Sequence, residues 1–158
     1  MTTHAMTNKF EIRVLPIPGV VEFASPFVFT SLIQFGEVGN GVETALITGA
    51  DGQERPFTSG ITKAREVTAT QIVNTDSQKE KDALMAWMAA KIAGVPFTDG
   101  AGVTKATFAA DGTTELSTGV FLDAFFPKDF TENEHSKSDA GGQEITWTFA
   151  YANYQVIK

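Results

Sequence analysis

The stretch that most constrains this chain is its last one, residues 143–157, where apolar and polar side chains alternate with a period of two. Ile145, Trp147, Phe149 and Tyr151 fall on one face, and Glu144, Thr146, Thr148 and Ala150 on the other. Sustained alternation in β-branched and aromatic residues specifies a half-buried strand, because successive side chains of extended backbone point to opposite sides. Read as one strand to Ile157, it exceeds the usual five or six residues and would span on the order of 45–50 Å. Such a strand suits a large sheet or a closed wall better than a compact enzyme core.

The same period recurs upstream. From Lys9 to Leu15, Phe10, Ile12 and Val14 oppose Lys9, Glu11 and Arg13, and Pro16, Pro18 and Gly19 end the strand. Phe27 to Phe35 reads as one strand with two partly apolar faces, buried on both sides or set at a subunit contact. A glycine-rich turn, Gly36 to Gly41, precedes a strand from Val42 to Thr48, and Asp51-Gly52 is a hairpin signal. Ile61 to Asn74 is a further long strand. There the period changes. Ser77-Gln78-Lys79-Glu80 has the pattern of a capping box, and a helix follows to Ala93 with Leu84, Trp87, Met88 and Ile92 on one stripe. Lys79 to Asp82 give it a solvated edge, and Gly94 and Pro96 stop it.

After a connector from Asp99 to Gly102, Val103–Ala110 and Thr113–Phe126 flank Asp111-Gly112, a second hairpin signal. Phe125-Phe126-Pro127 then opens a polar loop, Lys128 to Gly142, that feeds the final strand. The expected fold is mainly β (α+β): an antiparallel β-sandwich or barrel of about six or seven strands with one flanking helix at about 77–93. Residues 9–158 form one domain, and residues 1–8 a flexible N-terminal arm.

Composition narrows the function. With 42% hydrophobic and 20% charged residues the chain is a folding one, and no apolar run approaches the ~20 residues that cross a bilayer. The first eight residues lack the basic and apolar regions of a signal peptide, so no membrane anchor is expected. The absence of cysteine removes disulfides, thiolate chemistry and zinc ribbons together. A formal charge of −7 without any Lys/Arg cluster argues against electrostatic binding of nucleic acid.

Catalytic chemistry finds little to work with. His4 lies in the arm. His135 sits in the polar loop near Glu132, Glu134 and Asp139, a set able in principle to ligate a metal through oxygen and imidazole. The spacing matches no recognised ligand pattern, and a solvated acidic loop accounts for it. Glu66, Asp123 and Glu144 are carboxylates of the kind any acidic protein offers, and Asp123 reads as a strand position facing solvent or a neighbour. Gly39-Asn40-Gly41 and Gly141-Gly142 lack the downstream Lys-Ser/Thr of a phosphate cradle. No catalytic, cofactor or metal site is expected, and no enzyme. Thirteen phenylalanines remain to be explained. One core could hold them all; the sharper alternative is that some are buried only when copies associate.

In order and pattern the chain resembles the tail tube proteins of contractile-tailed bacteriophages, a superfamily shared with the ring-forming tube protein of type VI secretion. The resemblance runs from about Asn8 to the C-terminus. Its landmarks are the opening strand Lys9-Phe10-Glu11-Ile12-Arg13-Val14, the strand Ile61 to Val73 and the Trp-bearing helix Ala83-Leu84-Met85-Ala86-Trp87-Met88. The Asp111-Gly112 hairpin, Phe125-Phe126-Pro127 and the final alternating strand complete it. The Pro16-Ile17-Pro18-Gly19 segment and the Phe-rich strand after it depart from the pattern.

The resemblance implies hexameric rings stacked into a tube that conducts DNA on sheath contraction. Partners would be further copies of the chain and the sheath, baseplate and tape-measure proteins. The location would be the virion tail, assembled in the host cytoplasm. Six copies at −7 would bring 6 × −7 = −42 charges to a ring, which suits a channel through which DNA slides. Glu43, Glu66, Glu115 and Glu144 are the candidate lumen-facing carboxylates. Phe29, Phe35, Glu37, Val42, Phe57 and Phe125 are the candidate assembly contacts, with Gly36 to Phe57 the assembly-dependent region. The alternatives are a secretion-system tube protein carrying protein cargo and a β-sandwich binding or decoration module.

Overall fold

The computed structural model describes residues 3–6, 8–17, 20–62, 64–94, 102–122, 125–138 and 141–157. Within them the chain forms eleven strands and one α-helix. The strands are β1 (Phe10–Val14), β2 (Phe27–Phe29), β3 (Leu32–Phe35), β4 (Val42–Thr48), β5 (Glu54–Thr62) and β6 (Arg65–Ile72). After α1 (Gln78–Ile92) come β7 (Val103–Phe108), β8 (Glu115–Leu122), β9 (Phe126–Glu132), β10 (Glu144–Tyr151) and β11 (Asn153–Val156). All pairings are antiparallel. A five-stranded sheet runs in the order β11-β8-β7-β1-β2, a four-stranded sheet in the order β3-β6-β10-β9, and β4 and β5 stand apart as a hairpin.

The two sheets pack face to face, as the mainly β expectation required. Ile145, Trp147, Phe149 and Tyr151 of β10 are all buried. They meet the other sheet through Phe121 of β8, whose ring lies 5.2 Å from that of Tyr151, and Phe125, just before β9, stacks on Phe149 at 5.0 Å. Gln71 is a polar side chain fully buried between the sheets. Gln71 accepts from the Trp147 indole N–H at 3.0 Å and donates to Ser31 Oγ at 2.9 Å, so its amide is buried without being orphaned.

Several long strands of the sequence reading are broken in the structure, which is why eleven strands replace six or seven. The C-terminal run is two strands: β10 closes on the four-stranded sheet, the chain bends at Ala152, and β11 joins the other sheet. Phe27–Phe35 likewise divides, β2 in one sheet and β3 in the other. The cause lies on the helix. Glu80 accepts hydrogen bonds from the Thr30 and Ser31 backbone N–H groups, the latter at 3.2 Å, and removes both donors from any continuous ladder.

Ile61 and Thr62 end β5, and the strand expected to continue from them restarts as β6. Thr113–Phe126 is likewise two pieces, since β8 ends at Leu122 and Phe126 opens β9. The loop expected from Lys128 begins as strand β9, whose polar side chains read as loop because it is an edge with a solvated face. Pro127 is tolerated there, beside the register shift between Thr148 and Phe149 of its partner.

The helix start differs as well. Ser77 makes no side-chain capping bond to α1. The capping acceptor is Asn74, at the 3-10 turn Thr75–Ser77 that leads into the helix, where its Oδ1 takes the Asp76 and Ser77 N–H groups at 2.9 Å each and Ser77 Oγ accepts from the Asn74 N–H at 2.9 Å. Glu80, freed from the expected capping role and from the solvated edge, is buried. Leu84 and Trp87 anchor the helix on the core, but Ile92 is 82% exposed. Pro18, Gly19, Pro96, Asp99 to Ala101, Asp123 and Asp139 lie outside the described residues.

Candidate assembly surfaces

The β4–β5 hairpin is the first surface. Its turn is built locally. Gly52 holds a positive φ of 78°, Asp51 Oδ1 accepts from the Gln53 N–H at 3.0 Å, and Arg55 donates to Asp51 Oδ2 at 2.6 Å. These bonds hold the Asp51 carboxyl below its ordinary pKa, the Arg55 hydrogen bond first. Beyond the turn, Leu46 is opposite Pro56 on one face, and Ala45 and Ile47 are opposite Phe57 and Arg55 on the other. Leu46 is 68% and Phe57 55% exposed, and Val42 and Ile47 are about half exposed. A lone two-stranded ribbon with apolar groups on both faces is marginal in water.

The root of the hairpin is fixed. The Gly36 N–H donates to Thr68 O at 2.7 Å, and a Cβ on Gly36 would sit 2.9 Å from that oxygen. Tyr151 Oη accepts from the Gly39 N–H and donates to Gly39 O, both at 3.0 Å, and Asn40 Nδ2 donates to Asn153 Oδ1 at 3.1 Å. The arm is thus tied to the bend between β10 and β11.

The second surface is the four-stranded sheet. Its register places Thr146, Thr148 and Ala150 opposite Thr70, Thr68 and Glu66, and Thr146 and Thr148 opposite Thr131 and Asp129. Directly opposed antiparallel residues share a face, so the side away from the core is a field of threonines rimmed by carboxylates. Lys128 donates to Glu66 across it. Among the described residues both outer strands, β3 and β9, present unpaired edges.

Of the four lumen candidates, Glu66 and Glu144 lie on this outer face. Glu115 does not: it belongs to β8 in the other sheet, where it accepts from the Thr118 hydroxyl and stands 4.0 Å from Arg13. Glu43 is on β4, its side chain outside the described residues. Among the candidate contacts, Val42 and Phe57 are exposed on the hairpin and Glu37 is exposed after β3. Phe35 is half-buried on edge strand β3, near Phe10 and Phe121.

Phe29 and Phe125 are corrected: they are buried within one protomer, Phe125 to 1% exposure, and need no second copy to cover them. Leu46 and Ile47 escaped the sequence reading, although two adjacent apolar residues in a strand must show one to each face. His135 Nε2 lies 3.6 Å from Glu132 Oε2 and 3.4 Å from Gln143 Nε2 in an exposed loop.

The described residues thus build a two-layer β-sandwich with open sheet edges and an apolar hairpin that stands apart from both sheets. Comparison with solved structures gives that build a known fold. The chain superposes on one from the sheath/tube terminator of PVC, an extracellular contractile injection system in the extended state (TM-score 0.71, 11% identity, 100% of this chain and 99% of the other). A chain from the 6-fold symmetrised baseplate of the anti-feeding prophage matches equally (TM-score 0.71, 10% identity, 99% and 97%). One from the SPP1 tail tube follows (TM-score 0.62, 12% identity, 97% and 78%). The fold is that of tail tube and tube-terminating proteins. No family model and no curated relative matches the sequence.

Proposed function

We propose that this chain is a structural protein of a phage tail or tail-like particle, and that six copies close into a ring whose stacking makes the inner tube. The fold shared over nearly its whole length with tube and tube-terminating proteins carries the reading. The strand pattern supplies the physics. In the order β3-β6-β10-β9 neighbours alternate in direction, so an even set of four ends on edges of opposite sense. Copies related by simple rotation therefore meet β9 to β3 antiparallel, and closure removes both open edges of this sheet.

Six copies of a four-stranded sheet give a 24-stranded wall. At ~4.8 Å between strands and a tilt near 40°, its backbone diameter comes to roughly 45–50 Å. That leaves room, inside the side chains, for a nucleic-acid duplex, and the threonine face would line the bore. DNA is the proposed cargo, with sheath and baseplate as partners outside. The β4–β5 arm, apolar on both sides, is the contact between stacked rings.

Negative-stain microscopy of the purified protein tests this. Rings or tubes are expected, and Leu46→Asp with Phe57→Asp should leave a folded protein that no longer stacks. A monodisperse monomer at all concentrations would sink the proposal. Single rings that never stack in the unmodified protein would instead favour a tube terminator, as the PVC neighbour is described.

A further inference from the structure

Phe10, Phe35, Lys105 and Thr107 line a cavity of about 180 Å³. Register explains the odd position of a lysine there: Lys105 is opposite Ile12, which faces the core, so its side chain starts on the inner face of the five-stranded sheet. Its Nζ lies 5.8 Å from the centre of the Phe35 ring, and no carboxylate among the described residues forms an ion pair with it. Burial pushes the Lys105 ammonium below its ordinary pKa, the mark of a cation short of water and of a counter-charge. Among the described residues Phe35 is the one lining residue from the four-stranded sheet, and it stands on the edge strand β3. The cavity therefore lies where that sheet stops.

A further strand added to β3 would roof it. In the ring reading, on which this inference rests, that strand is β9 of the next copy. Within a protomer, Pro127, Phe130 and Glu132 of β9 are opposite Phe149, Trp147 and Ile145, all core-facing, whereas Asp129 is opposite Thr148 on the outer face. Glu132 is thus the ionisable group that β9 carries on its inner side, and in the free protomer it is exposed. Seated on β3 of a second copy, β9 would carry Phe130 and Glu132 on the inner side of the seam, the side on which Phe10, Phe35 and Lys105 line the cavity. We propose that the Lys105 cavity is a socket for Glu132 of a neighbouring copy, forming an ion pair beneath each seam of the ring. Lys105 pairs with no carboxylate among the described residues, and Glu132 has only the exposed His135 ring at 3.6 Å, so assembly would pair the two charges and give the seam its register.

Charge reversal tests the pairing. Lys105→Glu and Glu132→Lys, each confirmed folded by circular dichroism, should lower the assembled fraction at least about tenfold in sedimentation and microscopy. The double variant should regain most of it. Normal assembly of either single variant, or a folded double variant that stays dissociated, would overturn the socket while leaving the ring reading intact. Should Lys105→Glu fail to fold, amine labelling of the unmodified protein decides. Lys105 is expected to be at least about tenfold protected in rings relative to protomers, and equal labelling overturns the pairing. If the unmodified protein forms no rings, the ring reading itself fails and the socket fails with it.

Discussion

At Gly119 a methyl group would stand 1.9 Å from the Tyr154 hydroxyl oxygen and 2.1 Å from the carbon that bears it. Strand β11 lays that ring across the glycine, and Phe121 holds it from the side at 4.8 Å. Gly119→Ala should therefore cost roughly 1–3 kcal/mol by overpacking, read as a lower denaturation midpoint. Tyr154→Leu in the same chain should recover much of the loss, and an unchanged midpoint for the single variant would refute the close approach.

A second residue sets acid behaviour. Asp111 Oδ1 accepts from the Thr113 and Thr114 N–H groups at 2.9 Å, and Oδ2 from the Thr114 hydroxyl at 2.6 Å. These bonds, the Thr114 hydroxyl foremost, hold its pKa down to about 2 from 3.8. The folded-state value is depressed, so the contribution is complete above pH 3.8 and fades as pH falls toward 2. Asp111→Asn should flatten the fall of melting temperature across that window. A variant with the same slope as the unmodified protein would show that the turn does not titrate there.

Among elements, the crossings between sheets decide the fold, and Glu80 guards one of them. Its carboxylate serves the Thr30 and Ser31 N–H groups at the step from β2 to β3, with Thr30 Oγ1 a further 3.4 Å contact. Glu80→Ala would strand those donors and should cost about 2–3 kcal/mol in chemical denaturation, with Glu80→Gln costing less. No loss for Glu80→Ala would mean the crossing holds without it. None of the crossings was legible from alternation alone, because period two reports which side chains share a face and is silent about which sheet a strand joins. One signal was present. Inward aromatics occupy odd positions through Tyr151, yet the next tyrosine is at the even position 154, a slip that only a bend at Ala152 permits.

The helix was legible from its change of period, and the Val42–Thr48 strand from its flanking glycines. The partnership of Glu80 was not, since a Ser-x-x-Glu spacing fits a local cap as well as a long-range one. Edge strand β9 was hidden for a related reason, one of its faces being solvated. The candidate surfaces fared unevenly. Exposure of Val42 and Phe57 follows from an arm with no sheet beneath it, whereas Phe29 and Phe125 were claimed by a core whose depth the pattern does not give.

On the scale of the whole molecule, the overall charge of −7 is a poor guide to what a channel would feel. On the strand positions of the threonine face, Glu66 and Lys128 cancel, leaving Asp129 and Glu144 at −2 per copy. Six copies would give 6 × −2 = −12, and Asp129→Lys with Glu144→Lys would turn this to 6 × +2 = +12. If DNA passes through the assembled tube, that reversal should slow its release markedly and make the rate rise with salt, as released counterions return. Release at the unmodified rate through intact tubes would exclude this face as the wall.

The step at Ala152 also has a mechanical side. Strand β10 belongs to the inner sheet of the proposed tube and β11 to the outer one, so a covalent bond chain passes from wall to exterior within three residues. Two layers joined that tightly cannot shear past each other when a thrust arrives on the outer layer. A push delivered from outside would reach the wall as translation of the whole ring, and the tube would advance as a stiff rod.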